Sequence, residues 1–136
     1  MREIYFYHTG SCAPVQEFLK KLPDKQAAKM HRQLMMLRAF PLSFGRPHTK
    51  HFQIERYRSL YELREKCGKT LLRIIFTYDH TENIILLKAF QKTQSRDTVK
   101  ALERAFFNLE TLRRSEGFLL AYEEIQNINI DRKSES

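Results

Sequence analysis

Arg64 and Arg73 stand inside runs of sheet-forming residues, and Lys92 follows a third such run. The stretch from Leu60 to Gln94 reads LYELREKCGKTLLRIIFTYDHTENIILLKAFQKTQ, three apolar and β-branched runs separated by two turn-like breaks. A cation in such a run is costly to bury without a partner. All three are therefore expected on a wet face of one sheet, forming a cationic concavity that fits a polyanion. Arginine's planar fork suits bidentate phosphate binding. Glu62 opens the alternative of an ordinary cross-strand ion pair with one of these arginines.

The segment from Pro41 to Lys50 reads as a loop punctuated by Pro41, Gly45 and Pro47. It carries Arg46, His48 and Lys50, with His51 just after. His48, His51 and His80 titrate in the range that proton transfer needs, although a loop histidine without catalytic work is the commoner case. Cys12 and Cys67 are far apart and form no CxxC pair, so they read as free thiols in a reducing cytoplasm. No ligand spacing for zinc is present, and no metal or other cofactor is expected.

The elements that must position these residues follow from periodicity. Residues 3–7 read as a short strand. Val15, Phe18, Leu19 and Leu22 have helical spacing within a helix over 13–22 that Pro23 ends. Asp24 is a candidate N-cap for a second helix, whose stripe is Ala27, Met30, Leu34 and Leu37. Three strands follow, Leu60 to Arg64, Leu71 to Tyr78 and Ile84 to Phe90, with a glycine at the first turn. Alternation places Leu72, Ile74, Phe76 and Tyr78 against the helices, and Arg73 on the other, open face beside Arg64. A last helix, capped by Ser95 or Asp97, presents Val99, Leu102, Ala105, Phe106, Leu109 and Leu112.

After Gly117 the sequence predicts a short helix and then a frayed polar tail. The boundaries are one domain over 1–115 and this appendage over 116–136. The class is α+β, in the order β-α-α-β-β-β-α, a twisted and mainly antiparallel sheet packed against helices.

Bulk properties agree with one globular domain: 136 residues, 42% hydrophobic, with ten Phe and six Tyr. The formal net charge of +8 favours nucleic acid, an anionic membrane or an acidic protein as partner. No apolar run is long enough to span a membrane, no signal peptide is evident, and no basic helix has a lipid-like face, so a cytoplasmic protein without membrane contact is expected.

Three motifs in order carry a resemblance: Tyr61-Glu62-Leu63-Arg64, then Arg73-Ile74, then Leu86-Leu87-Lys88-Ala89-Phe90-Gln91-Lys92-Thr93-Gln94. With Phe6-Tyr7, Pro14 to Leu19 and Leu22-Pro23, the chain resembles the HigB-like branch of the RelE/ParE toxin superfamily to about Arg114. The resemblance implies a RelE-like fold and the toxin half of a type II toxin–antitoxin pair. It further implies a metal-independent endoribonuclease that cleaves mRNA in the ribosomal A site, with ribosome and mRNA as partners. A cognate antitoxin, often of helix-turn-helix type, is implied as well. On that resemblance Arg64 and Arg73 hold the scissile phosphate, and Lys92 adds charge near the leaving oxygen. His51, then His48, then Glu62 are candidate proton acceptors. Lys50, His48, Arg46 and Gln94 are candidate RNA contacts. The branch often carries a double lysine and Thr-Pro after the last strand, where this chain has Gln91-Lys92-Thr93-Gln94. A ParE-type toxin acting on DNA gyrase, and an inactive relative that only binds RNA or protein, remain as alternatives on the same fold.

Overall fold

A computed structural model describes residues 2–40 and 49–122. Its elements, in chain order, are β1 (Ile4–His8), α1 (Pro14–Lys20), α2 (Asp24–Ala39), β2 (Thr49–His51), a 3-10 turn (Glu55–Tyr57), β3 (Tyr61–Cys67), β4 (Thr70–Tyr78), β5 (Ile84–Lys92), α3 (Ser95–Arg113) and β6 (Phe118–Ala121). They build one open sheet in the order β2-β3-β4-β5-β1-β6. β1 runs parallel to β5, and every other pairing is antiparallel. The class is α+β, as the sequence suggests, with two strands more than its periodicity predicts.

The β3–β4 hairpin turns on Gly68-Lys69, between the paired residues Cys67 and Thr70. Gly68 has φ +62, and Lys69 is not among the residues with positive φ, which is the pattern of a type II′ turn. β4 and β5 are nine residues each and form the centre of the sheet.

Both faces are covered. On one, Leu72, Ile74, Phe76, Leu63 and Leu86 pack with Met30, Leu34 and Leu37 of α2 and Val15 of α1. On the other, Ile75, Ile85 and Leu87 pack with Ala101, Leu102, Ala105 and Leu109 of α3, together with Phe52, Tyr57 and Leu60. The even residues of β4 thus meet helices as expected. The odd face is not open, because α3 lies across it and buries Ile75 completely.

The segment after Gly117 departs from the expected short helix. Phe118–Ala121 is an edge strand, with Phe6 opposite Leu120 and Tyr7 opposite Leu119. A Cβ on Gly117 would meet Tyr7 Cε1 at 3.0 Å and Leu112 Cδ2 at 3.2 Å, so any other residue here would have to displace these side chains by a few tenths of an ångström. Just before it, α3 ends with Ser115 at φ 61, Ser115 N donating to Leu112 O and Glu116 N to Thr111 O. That is a Schellman cap with serine in the left-handed position. It reverses the chain so that four apolar residues add to the sheet instead of continuing a helix.

Candidate functional site: a cationic face on β3, β4 and β5

The register lays out the α3-facing side of the sheet in rows. Arg64 is opposite Arg73, and Arg73 is opposite Phe90. One row nearer β2's end of the hairpin lie Lys50, Glu62, Ile75 and Lys88, and one row nearer the Gly68 turn lie Leu71 and Lys92, with Lys66 beside Leu71. Alternation puts all of these side chains on one face.

Lys88 reaches this face through a bulge. The register shifts between Ile75 and Phe76, so that Ile75 faces Lys88 and Phe76 faces Leu86, leaving Leu87 unpaired. Without the extra residue, Lys88 would share the face of Leu86 and point to α2. The buried Asn108 of α3 secures the bulge by donating from Nδ2 to Leu87 O at 2.9 Å.

The hub of the face is Glu62, only 2% exposed. Its Oε1 accepts from Arg64 Nε at 2.9 Å and lies 3.7 Å from Arg73 Nε. Arg73 donates from Nη1 to Leu72 O at 3.1 Å. Among the described residues, Glu62 Oε2 and Arg73 Nε have no hydrogen-bond partner. Burial pushes the Arg73 guanidinium below its ordinary value, Glu62 opposes that shift, and Arg64 reinforces it. The Arg73 side chain is 11% exposed and that of Arg64 28%. A wet concavity of free cations is therefore corrected to a layered one: Arg64 presents its guanidinium at the surface, Arg73 lies beneath, and one carboxylate clamps both.

Lys92 shares the face but sits two residues beyond Phe90, beside Leu71 rather than Arg73. Lys50 also shares it, with Nζ 5.4 Å from the centroid of Phe52. Gln94 is the exposed N-cap of α3. Neither Ser95 nor Asp97 is the cap. Asp97 Oδ2 instead accepts from Thr93 N at 2.8 Å, Thr93 Oγ1 at 2.9 Å and Gln94 N at 3.0 Å. Those bonds, the Thr93 backbone first, hold the Asp97 carboxyl below its usual value.

His51 is not brought to the arginines. It pairs with Tyr61, on the opposite face, and stacks on that ring at 4.3 Å, while Nε2 engages Arg58 O. Arg46 and His48 lie outside the described residues. Lys66, Lys88, and Lys100 and Arg104 on α3 were not singled out by sequence reasoning. The signal for Lys88 was present, a lone cation inside the apolar run Ile84 to Phe90. Cys12 and Cys67 are unpaired thiols, and burial pushes both upward. Among the described residues no cluster could hold a metal ion, and no helix is long and apolar enough to cross a membrane.

A family model described as phage derived protein Gp49-like (DUF891) matches residues 17–110. The matched span contains every lysine and arginine of the cationic face. Among curated proteins, none matches the chain.

Proposed function

This chain belongs to the Gp49-like family, a RelE/ParE-like toxin family of toxin–antitoxin systems whose members are often RNases, and from that premise we propose that it is a HigB-like, ribosome-dependent mRNA endoribonuclease. The family implies a cognate antitoxin as its partner. The observation that carries the nuclease reading is the Arg64–Arg73 pair held on a buried glutamate in mid-sheet.

Cleavage by the neighbouring 2′-hydroxyl requires that hydroxyl to lose its proton, the phosphate to gain charge, and the 5′-oxygen to be protonated as it leaves. Fixed cations aimed at the phosphate lower the barrier without reorganising during reaction. Arg64 is the contact residue, held through Nε by Glu62 and the more exposed of the two arginines. Arg73 adds charge from below. Lys92, further along β5, is assigned the charge near the leaving oxygen, and Lys50 and Gln94 are assigned contacts to the RNA. Glu62 is a clamp, not the proton acceptor, since it is buried and already shared by two arginines. His51, stacked on the far face, serves the fold of β2 in this reading.

The test is single-turnover cleavage of mRNA on programmed ribosomes by purified protein and by Arg64→Ala. Removal of one preorganised donor is expected to slow cleavage about 10²–10³-fold. Gyrase inhibition with intact mRNA would move the assignment to a ParE-type toxin.

A further inference from the structure

Next to the arginine pair, β5 and α3 border an open cleft of about 250 Å³. Its walls include Lys88, Phe90, Asp97, Lys100, Ala101 and Arg104. We infer that this cleft is a second RNA subsite, which holds the nucleotide adjoining the scissile phosphate by stacking its base on Phe90 and pairing its phosphate with Lys88, Lys100 and Arg104. This inference rests on the nuclease reading and specifies how the substrate lies on the protein.

The order of groups across the face favours single-stranded RNA. Phe90 is the cross-strand neighbour of Arg73, and Lys88 is the neighbour of Ile75 one row away. An aromatic ring therefore sits between two cationic groups, about one strand spacing (~4.8 Å) from Arg73 and about two from Arg64. Alternating cations and aromatic rings track a single strand, whose bases stack while its phosphates pair with cations. Phe90 is partly exposed, packed against the α3 core along its inner side.

The cations are available. Lys100 and Arg104 are exposed and one helical turn apart on α3, and Lys88 is half-buried. Among the described residues Lys88, Lys100 and Arg104 form no ion pair, and Arg104 rests 4.9 Å from the centroid of Phe107. Asp97 is the one carboxylate in the wall. Its Oδ2 is occupied by the three donors that cap α3, so three cations stand against one committed anion.

The aromatic ring among the cations separates RNA from an acidic protein segment, because a base stacks on Phe90 whereas a carboxylate has no stacking face.

The test measures binding of a fluorescent single-stranded RNA hexamer, with polyglutamate as the acidic-protein probe, between about 50 and 200 mM salt, where phosphate binding is most salt-sensitive. Parent protein is compared with the double variant Lys100→Ala/Arg104→Ala and with Phe90→Leu, and mRNA cleavage on ribosomes is recorded for each. Alanine suits an exposed helix position, so the double variant keeps its fold. The expected result is about tenfold weaker RNA binding by the double variant, and a salt slope shallower by about 0.7 for each phosphate no longer neutralised. Phe90→Leu weakens RNA binding while leaving polyglutamate binding unchanged. Full RNA affinity and an unchanged slope in the double variant would overturn the subsite while cleavage by the parent protein leaves the nuclease reading standing. Loss of polyglutamate binding alone would reassign the cleft to an acidic protein partner. A parent protein that cleaves nothing, yet loses RNA affinity on these substitutions, would overturn the nuclease reading and keep the cleft as an RNA site.

Discussion

Replacing Glu62 by glutamine tests the clamp at the centre of the site. Glutamine keeps the shape of the side chain and removes its charge. The Glu62–arginine approaches, at 2.9 and 3.7 Å, are worth about 6 and about 4.5 kcal/mol respectively in gross Coulomb terms at an effective dielectric of about 20. Desolvation offsets much of that, and solvent screens Arg64 in part, since its side chain is 28% exposed. Arg73, at 11%, bears most of the net effect. Breaking a buried pair by removing one partner destabilises by about 3–5 kcal/mol, because a charge is left unpaired. The glutamine oxygen still accepts from Arg64 Nε and returns about 1 kcal/mol. The expected loss is therefore about 2–4 kcal/mol, or a fall of about 1–2 M in the urea midpoint. The double variant Glu62→Gln/Arg73→Met removes the stranded charge as well, and should recover at least about 1 kcal/mol relative to the single change. A single variant within about 0.5 kcal/mol of the parent, or a double variant that is simply additive, would refute the clamp.

Three further outcomes follow from the fold. Asn108→Ala leaves the Leu87 carbonyl without its donor and should destabilise by about 1–3 kcal/mol in urea unfolding; a neutral result would mean that the bulge holds without α3. Ser115→Gly relieves the left-handed residue at the end of α3 and should stabilise by about 0.5–1 kcal/mol, measured the same way. His31, whose Nδ1 lies 2.6 Å from Tyr122 Oη, is held below its ordinary value of 6.5 by burial first and by Arg38 second. The unfolded chain thus takes up this proton before the folded one. The contribution is fully present above pH 6.5 and is lost as pH falls through the folded value. Urea midpoints at pH 7.5 and 5.5 should diverge more for the parent than for His31→Gln, and equal divergence would count against the shift.

The hairpin β3–β4, β5 and the three long apolar stripes were legible because each carries its own period: alternation in Leu71 to Tyr78, and 3.6-residue spacing at Met30, Leu34 and Leu37. The placing of Arg64 and Arg73 on one face of a hairpin followed from alternation, and the register makes them direct cross-strand partners. What stayed hidden depends on contacts distant in sequence. Thr49–His51 and Phe118–Ala121 are three and four residues long, too short for a period, and become strands only because β3 and β1 offer edges. The sequence of α3 shows an apolar stripe but not which face of the sheet receives it, so the burial of Arg73 was not foreseeable. His51 illustrates register: one residue separates it from Lys50, and that residue moves it to the far face. Lys88 illustrates the bulge, which reverses the parity that plain alternation assigns.

The most direct test of the account is primer extension on a reporter mRNA after brief induction in cells, with the parent protein beside Arg64→Ala and Arg73→Met. Cleavage within translated codons is expected from the parent, with loss of that cleavage in both variants while each remains folded. Growth arrest with intact mRNA, or undiminished cleavage by the two variants, would contradict it.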